Sequence, residues 1–251
     1  MLRPRALTEP ARRGLTIARQ RRFWTRRAAA WEHTADSTPG LGKVIETVID
    51  VADPAPGDTI VDLGCGSGQL SIPLAQRGAS VVAVDVSPAM TEMLESNAAE
   101  AEVEGVEPVT APIEDLDLRP GSADAVVSNY ALHHLRDEDK AAVVEQAARW
   151  LRPGGRLVIG DMMFGRGGDA RDRQIIFAKV SALARRGPGG WWRIAKNAAR
   201  YLTRTQERPV SIKAWTKMLE RAGFRQVEAR SVVSEAAVVS GVRPPGEVTR
   251  S

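Results

Sequence analysis

The most informative segment of this chain is Ile60-Val61-Asp62-Leu63-Gly64-Cys65-Gly66-Ser67-Gly68-Gln69. It predicts a buried strand with an acidic residue near its end, then a glycine-dense turn, then a helix that begins near Ser67. The glycines let the backbone turn sharply and come close to a ligand. The unpaired N–H groups at the start of a helix favour polar or anionic ligand groups. A strand, turn and helix of this kind indicate a site for a nucleoside cofactor.

Two cofactor classes compete for this loop. A dinucleotide fingerprint needs a third small residue at the position that Gln69 occupies. The glycine spacing is instead G-x-G-x-G, and it starts two residues after Asp62, which resembles the S-adenosylmethionine (SAM) loop of class I methyltransferases. A second apolar strand also ends in an acid, Asp85, which suits a ribose but is shared by NAD and SAM proteins.

Further segments follow in the order of one known family. They are an expected fourth strand over residues 124–129, the segment Leu132-His133-His134-Leu135, and a Pro-Gly-Gly turn before a fifth strand. This ordered set is similar to the class I SAM-dependent methyltransferase superfamily, especially its small-molecule branch of ubiquinone/menaquinone-methyltransferase-like enzymes. The resemblance covers roughly residues 41–240, and it identifies a superfamily without identifying a substrate.

The fold expected for the chain is α/β. With 251 residues, 43% of them hydrophobic, the chain can bury one full core. Apolar runs and turn residues predict strands near residues 59–63, 80–85, 106–110, 124–129, 155–161, 226–233 and 236–242. The resemblance implies a Rossmann-like, doubly wound, seven-stranded sheet in the order 3-2-1-4-5-7-6, with strand 7 antiparallel and a helical cap.

We expect four parts along the chain. A basic N-terminal arm and cap helix takes residues 1–40, a SAM-binding domain takes 41–163 and 211–243, a helical cap insertion takes 164–210, and a disordered tail takes 244–251. An insertion after the fifth strand lies at the carboxyl edge of the sheet, where ligands bind in open α/β folds. The arm and the insertion are therefore expected to cover the cofactor and to shape the acceptor pocket.

Charge is unevenly distributed. Residues 1–30 contain nine arginines and one acid, whereas the whole chain has a formal charge of only +4, so the remainder of the chain is acidic. Residues 191–202 predict a second helix with a basic face and an aromatic or aliphatic face. Both segments could simply pack onto the domain, or they could contact an anionic membrane surface peripherally. Nucleic acid is the less favoured partner.

The resemblance assigns cofactor roles residue by residue. Asp62 is expected to organise the loop or to meet the amino group of the cofactor, Asp85 to bind the ribose hydroxyls, and Val86 to lie against the adenine. The family places an acid where this chain has Pro112, so Glu114, Asp115 or the Ile113 backbone must serve the adenine instead. The expected cofactor-binding set is Asp62, Gly64, Cys65, Gly66, Gly68, Asp85, Val86, Ile113, Glu114 and Asn129.

Methyl transfer needs few side chains, but a base helps where the acceptor carries a proton. The candidates are His133 and His134, which the sequence does not distinguish, together with His33 and Tyr130. One histidine of the pair could equally serve packing. A single cysteine and three histidines leave no credible metal site.

The sequence therefore predicts a cytoplasmic, SAM-dependent methyltransferase that acts on an oxygen or carbon atom of a small molecule, apolar or quinone-like. The segment Ser128-Asn129-Tyr130-Ala131 lacks the two prolines that usually mark methylation of exocyclic amines. The alternatives are a methyltransferase of RNA or another macromolecule that uses the basic arm, and, less favoured, an NAD-dependent oxidoreductase.

Overall fold

The computed structural model describes residues 9–28, 40–165, 170–185, 187 and 208–245. Predictions for His33, for the helix over residues 191–202 and for most of the tail fall outside these residues. The division of the chain into domain, arm, insertion and tail stays a prediction.

One sheet of seven strands forms the centre of the molecule. In chain order the strands are β1 (Thr59–Leu63), β2 (Ser80–Asp85), β3 (Val106–Thr110), β4 (Ala123–Asn129), β5 (Leu151–Met162), β6 (Arg225–Ser231) and β7 (Ala236–Val242). Their spatial order is 3-2-1-4-5-7-6, and β7 runs antiparallel to both of its neighbours. The predicted order and the closing hairpin are confirmed.

Helices cover the sheet on both sides. In chain order they are α1 (Glu9–Thr25), α2 (Leu41–Ala52), α3 (Ser71–Gln76), α4 (Pro88–Glu100), α5 (Asp137–Trp150), α6 (Ala170–Ala184) and α7 (Ile212–Arg221), with 3-10 turns at Ile113–Asp115 and Leu132–His134. No described helix is long and apolar enough to span a lipid bilayer.

The core lies in two layers because alternate residues of a strand point to opposite faces of the sheet. On one face Val61, Val126 and Leu157 pack against α5 and α7. On the other face Ile60 and Val127, with Val158, pack against α2, α3 and α4. The central strands are buried on both faces, which is why they are near-continuous apolar runs in the sequence.

The predicted start of the helix after β1 was wrong by four residues. The chain passes through turns from Gly64 to Leu70, and α3 begins at Ser71. Gly64, Gly66 and Gly68 have positive φ angles of 79°, 54° and 96°, which no right-handed helix can contain.

The fifth strand was also predicted to start too late. It begins at Leu151, which pairs with Ala123, and the register with β4 then shifts before Arg156 pairs with Ala125. Gly154 has a φ of 82°, so the Pro-Gly-Gly segment forms an irregularity inside β5 and not a turn before it.

Gly160 on β5 sets the distance between the sheet and α2. A Cβ at this position would lie 2.6 Å from Val48 Cγ2 and 2.8 Å from Val44 Cγ1. We expect Gly160→Ala to lower the free energy of unfolding by about 1–3 kcal/mol, because the helix must move away from the sheet. Urea unfolding followed by circular dichroism measures the change.

The matched control is Gly42→Ala on the exposed side of α2, where a Cβ meets nothing within 4 Å. Alanine there should raise stability by about 0.5–1 kcal/mol, since it favours the helix. Equal unfolding midpoints for the two variants would contradict the close packing at Gly160.

Candidate active site

A cleft opens at the carboxyl ends of β1, β2 and β4. The first two strands contribute their terminal acids and the loops that follow, and β4 contributes the chain that leads into Leu132–His134. The lining residues are Gln20, Trp24, Asp62, Gly64, Cys65, Gly66, Gln69, Leu70, Asp85, Val86, Met90, Ile113, Glu114, Asn129, Tyr130, Ala131, His134 and Leu135.

The loop after β1 forms the floor of the cleft. The backbone N–H groups of Gly64 and Cys65 both donate to the Val84 carbonyl, at 2.7 and 3.0 Å, which ties the loop to β2. A Cβ on Gly64 would lie 2.2 Å from the Ala131 Cβ, so only glycine allows the loop to approach the chain after β4 this closely.

Asp85 at the end of β2 faces this loop across the cleft. Its carboxylate accepts the Gly66 N–H at 3.1 Å and the Ser87 N–H at 2.8 Å. Burial raises the pKa of Asp85, and these two hydrogen bonds act in the opposite direction. Each carboxylate oxygen keeps acceptor capacity for a hydroxyl group, so a ribose diol fits here.

Asp62 and Asn129 present buried oxygen atoms to the cleft. Asp62 Oδ2 accepts the Ser71 hydroxyl at 2.6 Å, whereas Asp62 Oδ1 and Asn129 Oδ1 are buried without a hydrogen-bond partner. Burial, opposed by the Ser71 bond and aided by the nearby Asp85 charge, raises the pKa of Asp62 to about 7. Unsatisfied buried acceptors are costly, so a ligand with donor groups, such as the ammonium of SAM, fits these residues.

The end of the cleft beyond Asp85 is largely apolar. Val86, Met90 and Ile113 line it, and Glu114 adds a carboxylate. Asp115, the other predicted substitute for the missing acid, is exposed and does not line the cleft. This part of the cleft suits an adenine ring, with Glu114 as the acid nearest the position expected for its amino group.

Helix α1 lies across the opening of the cleft. Gln20 Nε2 donates to the His134 carbonyl at 3.1 Å, and the Trp24 ring meets the His134 ring edge to face at 5.2 Å between centroids. Both side chains line the cleft, so α1 forms part of its wall.

The same helix is tied to the segment after β2. Arg21 Nε donates to the Val86 carbonyl at 3.2 Å, and the Thr25 hydroxyl lies 3.1 Å from the Ser87 hydroxyl. Helix α1 therefore contacts both the adenine end of the cleft and the end near His134.

The two histidines, equivalent in the sequence, differ in the structure. His134 lines the cleft, whereas His133 is buried behind it and does not. Asp161 accepts the His133 backbone N–H at 2.8 Å and lies 2.5 Å from His133 Nδ1. A carboxylate at Nδ1 holds the proton on that nitrogen and fixes the ring. The two imidazole centroids are 4.0 Å apart, so this ring supports His134 from behind.

Tyr130 lies between the cofactor end and the histidines. It has a φ of 51°, an uncommon backbone conformation for a bulky residue. Burial, with the charges of Glu235 and Asp161, raises the pKa of the Tyr130 phenol to about 12. The phenol therefore stays protonated at neutral pH, a state that suits a hydrogen-bond donor and not a base.

The structure brings together most of the predicted site. All of the predicted cofactor residues line the cleft except Gly68, where a Cβ would lie 2.3 Å from Leu94 Cδ1 and which therefore packs the loop on α4. Sequence reasoning missed Asp161, although its signal was available. It ends an apolar strand in the same manner as Asp62 and Asp85.

Comparison with known proteins agrees with this geometry. Residues 60–155 match a family model described as a methyltransferase domain. The match begins on β1 and ends inside β5, so it contains the glycine loop, Asp85 and both histidines.

Two curated relatives carry more specific names. A carboxy-S-adenosyl-L-methionine synthase of Shewanella loihica is 31% identical over 51% of this chain and 54% of its own length. A ubiquinone biosynthesis O-methyltransferase of Xanthomonas campestris is 35% identical over 43% of this chain and 44% of its own length. The chain spans about half the length of these relatives.

A solved structure shares the fold of this chain. The magnesium protoporphyrin IX methyltransferase of Synechocystis PCC 6803 with bound SAM superimposes with a TM-score of 0.65 over 96% of this chain and 100% of that chain, at 21% identity. The fold, the cleft and the family match over residues 60–155 make this chain similar to the class I SAM-dependent methyltransferases. SAM is the cofactor of this class.

Protonation of Asp62 provides a test of the cleft. A folded-state pKa of about 7, against 3.8 for the unfolded group, means that the empty protein loses stability as the pH rises between those values. Asp62→Asn should remove this loss, so the melting temperature of the variant should fall less between about pH 5 and pH 8 than that of the parent.

A cationic amino group beside Asp62 favours the carboxylate, so SAM binding near pH 7 should release protons from the parent protein and fewer from Asp62→Asn. Titration calorimetry in buffers of different ionisation enthalpy measures the release. Equal proton release from both proteins would show that the cofactor does not meet Asp62.

Proposed function

We propose that this chain is a SAM-dependent methyltransferase that transfers the methyl group to an oxygen or carbon atom of a small-molecule acceptor. The observation that carries the proposal is the set of hydrogen-bond acceptors around one cleft. The Asp85 carboxylate accepts hydrogen bonds from two backbone N–H groups, while Asp62 Oδ1 and Asn129 Oδ1 are buried without hydrogen-bond partners. A nucleoside that carries both a ribose diol and an ammonium satisfies all three.

When bound, the cofactor supplies a methyl group on an electrophilic sulfonium centre. The chain itself binds and orients. Asp85 accepts the ribose hydroxyls, Asp62 and Asn129 take the methionine part, and the apolar end at Met90 and Ile113 takes the adenine. Helix α1 covers the opening and excludes water, which strengthens these polar contacts.

The acceptor is proposed to sit on the side of the cleft that Tyr130 and His134 line. The Tyr130 phenol stays protonated, so it can donate a hydrogen bond to an oxygen of the methyl acceptor. This bond would hold the oxygen in line with the methyl group of the cofactor. The relative from Xanthomonas campestris is named for ubiquinone biosynthesis, and the Synechocystis enzyme for magnesium protoporphyrin IX. These names support a small and largely apolar acceptor, such as a quinone-like phenol.

His134 is proposed as the general base, with His133 and Asp161 as positioning residues. His134 reaches the cleft, and the buried His133 ring lies behind it at 4.0 Å. Asp161 fixes the His133 ring through Nδ1 and the backbone N–H. This arrangement holds the His134 imidazole against the Trp24 edge, ready to take the proton of an acceptor hydroxyl.

Two further expectations stay proposals. Peripheral contact of the basic arm with a membrane would suit an apolar acceptor. A cytoplasmic location suits a chain whose single cysteine, Cys65, is a buried free thiol in the cofactor loop. An RNA or other macromolecular substrate is the second candidate, because seven arginines and no acid lie between Glu9 and Glu32.

Cofactor identity is tested first by calorimetric titration with SAM, S-adenosylhomocysteine (SAH) and NAD. We expect saturable binding of the two sulfur nucleosides and none of NAD. Asp85→Ala should weaken SAH binding by about 10–100-fold, since two ribose hydrogen bonds to a charged group are lost. Asp117→Ala, at an exposed aspartate outside the cleft, is the control and should bind SAH normally. Binding of NAD alone would overturn the proposed function.

The base is tested with an acceptor found by screening phenols and hydroquinones. His134→Gln should lower kcat by about 10²–10⁴-fold and flatten the pH profile between about pH 5 and pH 8, with SAH affinity unchanged. Asp161→Asn should lower kcat by a smaller factor, because the His133 ring is no longer held in one tautomer. If His134→Gln keeps the parental pH profile, His134 is not the base.

A further inference from the structure

The outward side of α1 carries one row of exposed side chains, a leucine followed by three arginines. Leu15, Arg19, Arg22 and Arg26 follow one another at spacings of four, three and four residues, which places them on the same side of a helix. All four are exposed, and the Arg26 N–H donates to the Arg22 carbonyl at 3.3 Å, so the last turn continues through Arg26. These four residues are called the arginine row.

The opposite side of the same helix faces the cleft. Gln20 and Trp24, four residues apart, line the cleft and contact His134. On a helix with 3.6 residues per turn, these two positions lie nearly half a turn away from the arginine row. The helix that closes the cleft on one side therefore presents positive charge to the outside.

The charges of the arginine row are not neutralised within the described part of the chain. No acidic residue stands between Glu9 and Glu32, and the ion pairs of the described residues involve none of Arg19, Arg22 and Arg26. Three arginines within eight residues repel one another, so a surface of negative charge would be favoured against this face.

We propose that the arginine row binds the headgroups of an anionic lipid bilayer, and that the mouth of the cleft then lies at the bilayer surface. The part of the proposal that concerns the acceptor rests on the proposed function: an apolar acceptor dissolved in the membrane would enter beside α1. A bilayer is favoured over nucleic acid by Leu15, which is 50% exposed at the head of the row and can enter the headgroup region.

The test uses the full chain and phosphatidylcholine vesicles, with and without phosphatidylglycerol. Co-sedimentation is measured for the parent and for the triple variant Arg19→Gln, Arg22→Gln and Arg26→Gln. Each arginine near an anionic membrane contributes about fivefold to partitioning, so the triple variant should bind on the order of 100-fold more weakly. Binding should also fall at high salt, because the contact is electrostatic.

A matched triple variant controls for the change in net charge. Arg221→Gln, Arg225→Gln and Arg230→Gln remove three exposed arginines from α7 and β6, and β6 is the strand at the sheet edge opposite β3. This control should bind anionic vesicles as the parent does. Equal loss in both triple variants would show that only net charge matters, and it would overturn the proposal.

Three outcomes separate the proposal from its alternatives. If the triple variant of Arg19, Arg22 and Arg26 keeps the parental SAH affinity in calorimetry but no longer binds vesicles, the arginine row is a surface separate from the cofactor site. Tight, salt-dependent binding of the parent to a single-stranded RNA, with no binding to anionic vesicles, would overturn the lipid proposal in favour of nucleic acid. If the parent protein does not bind SAH, the proposed function is rejected. The vesicle result then still decides whether the arginine row binds lipid.

Discussion

The close approach of the loop after β1 to the chain after β4 is the constraint on which the site depends. Gly64 has no room for a side chain against Ala131, and two successive N–H groups of this loop share the Val84 carbonyl. These contacts fix the carboxyl ends of β2, β1 and β4, three neighbouring strands, relative to one another. The acids that end β1 and β2 therefore face one cleft, and the loop backbone forms its floor. A wider loop would move its N–H groups away from the carboxylate and carbonyl oxygens that accept their hydrogen bonds.

Acidic residues near the ends of three parallel strands have three different tasks because their surroundings differ. Asp85 is held by backbone N–H groups and stays open to hydroxyl groups. Asp62 has one satisfied oxygen and one unsatisfied oxygen, so its protonation responds to a ligand. Asp161 is fully occupied by His133 and the backbone, and it acts through that ring. Position along the chain makes them alike, whereas burial and hydrogen bonding make them distinct.

Much of the fold could be predicted because it depends on local patterns. Apolar runs that end in turn residues gave the strands, and the glycine spacing gave the cofactor loop. The errors came from backbone conformation: three positive φ angles delay α3 to Ser71, and an irregularity at Gly154 lets β5 start at Leu151. The difference between His133 and His134 could not be predicted, since the direction of each side chain depends on one 3-10 turn and on Asp161, 28 residues away.

The way in which α1 is held has a consequence for turnover. Three hydrogen bonds attach it to the rest of the described chain, through Gln20, Arg21 and Thr25. The Trp24–His134 ring contact and the buried Ala28 just after the helix add to these bonds. Strengthening or weakening these contacts would change how often α1 separates from the cleft. Exchange of the spent cofactor for a fresh one would therefore respond to the contacts of α1 as well as to the cofactor-binding residues.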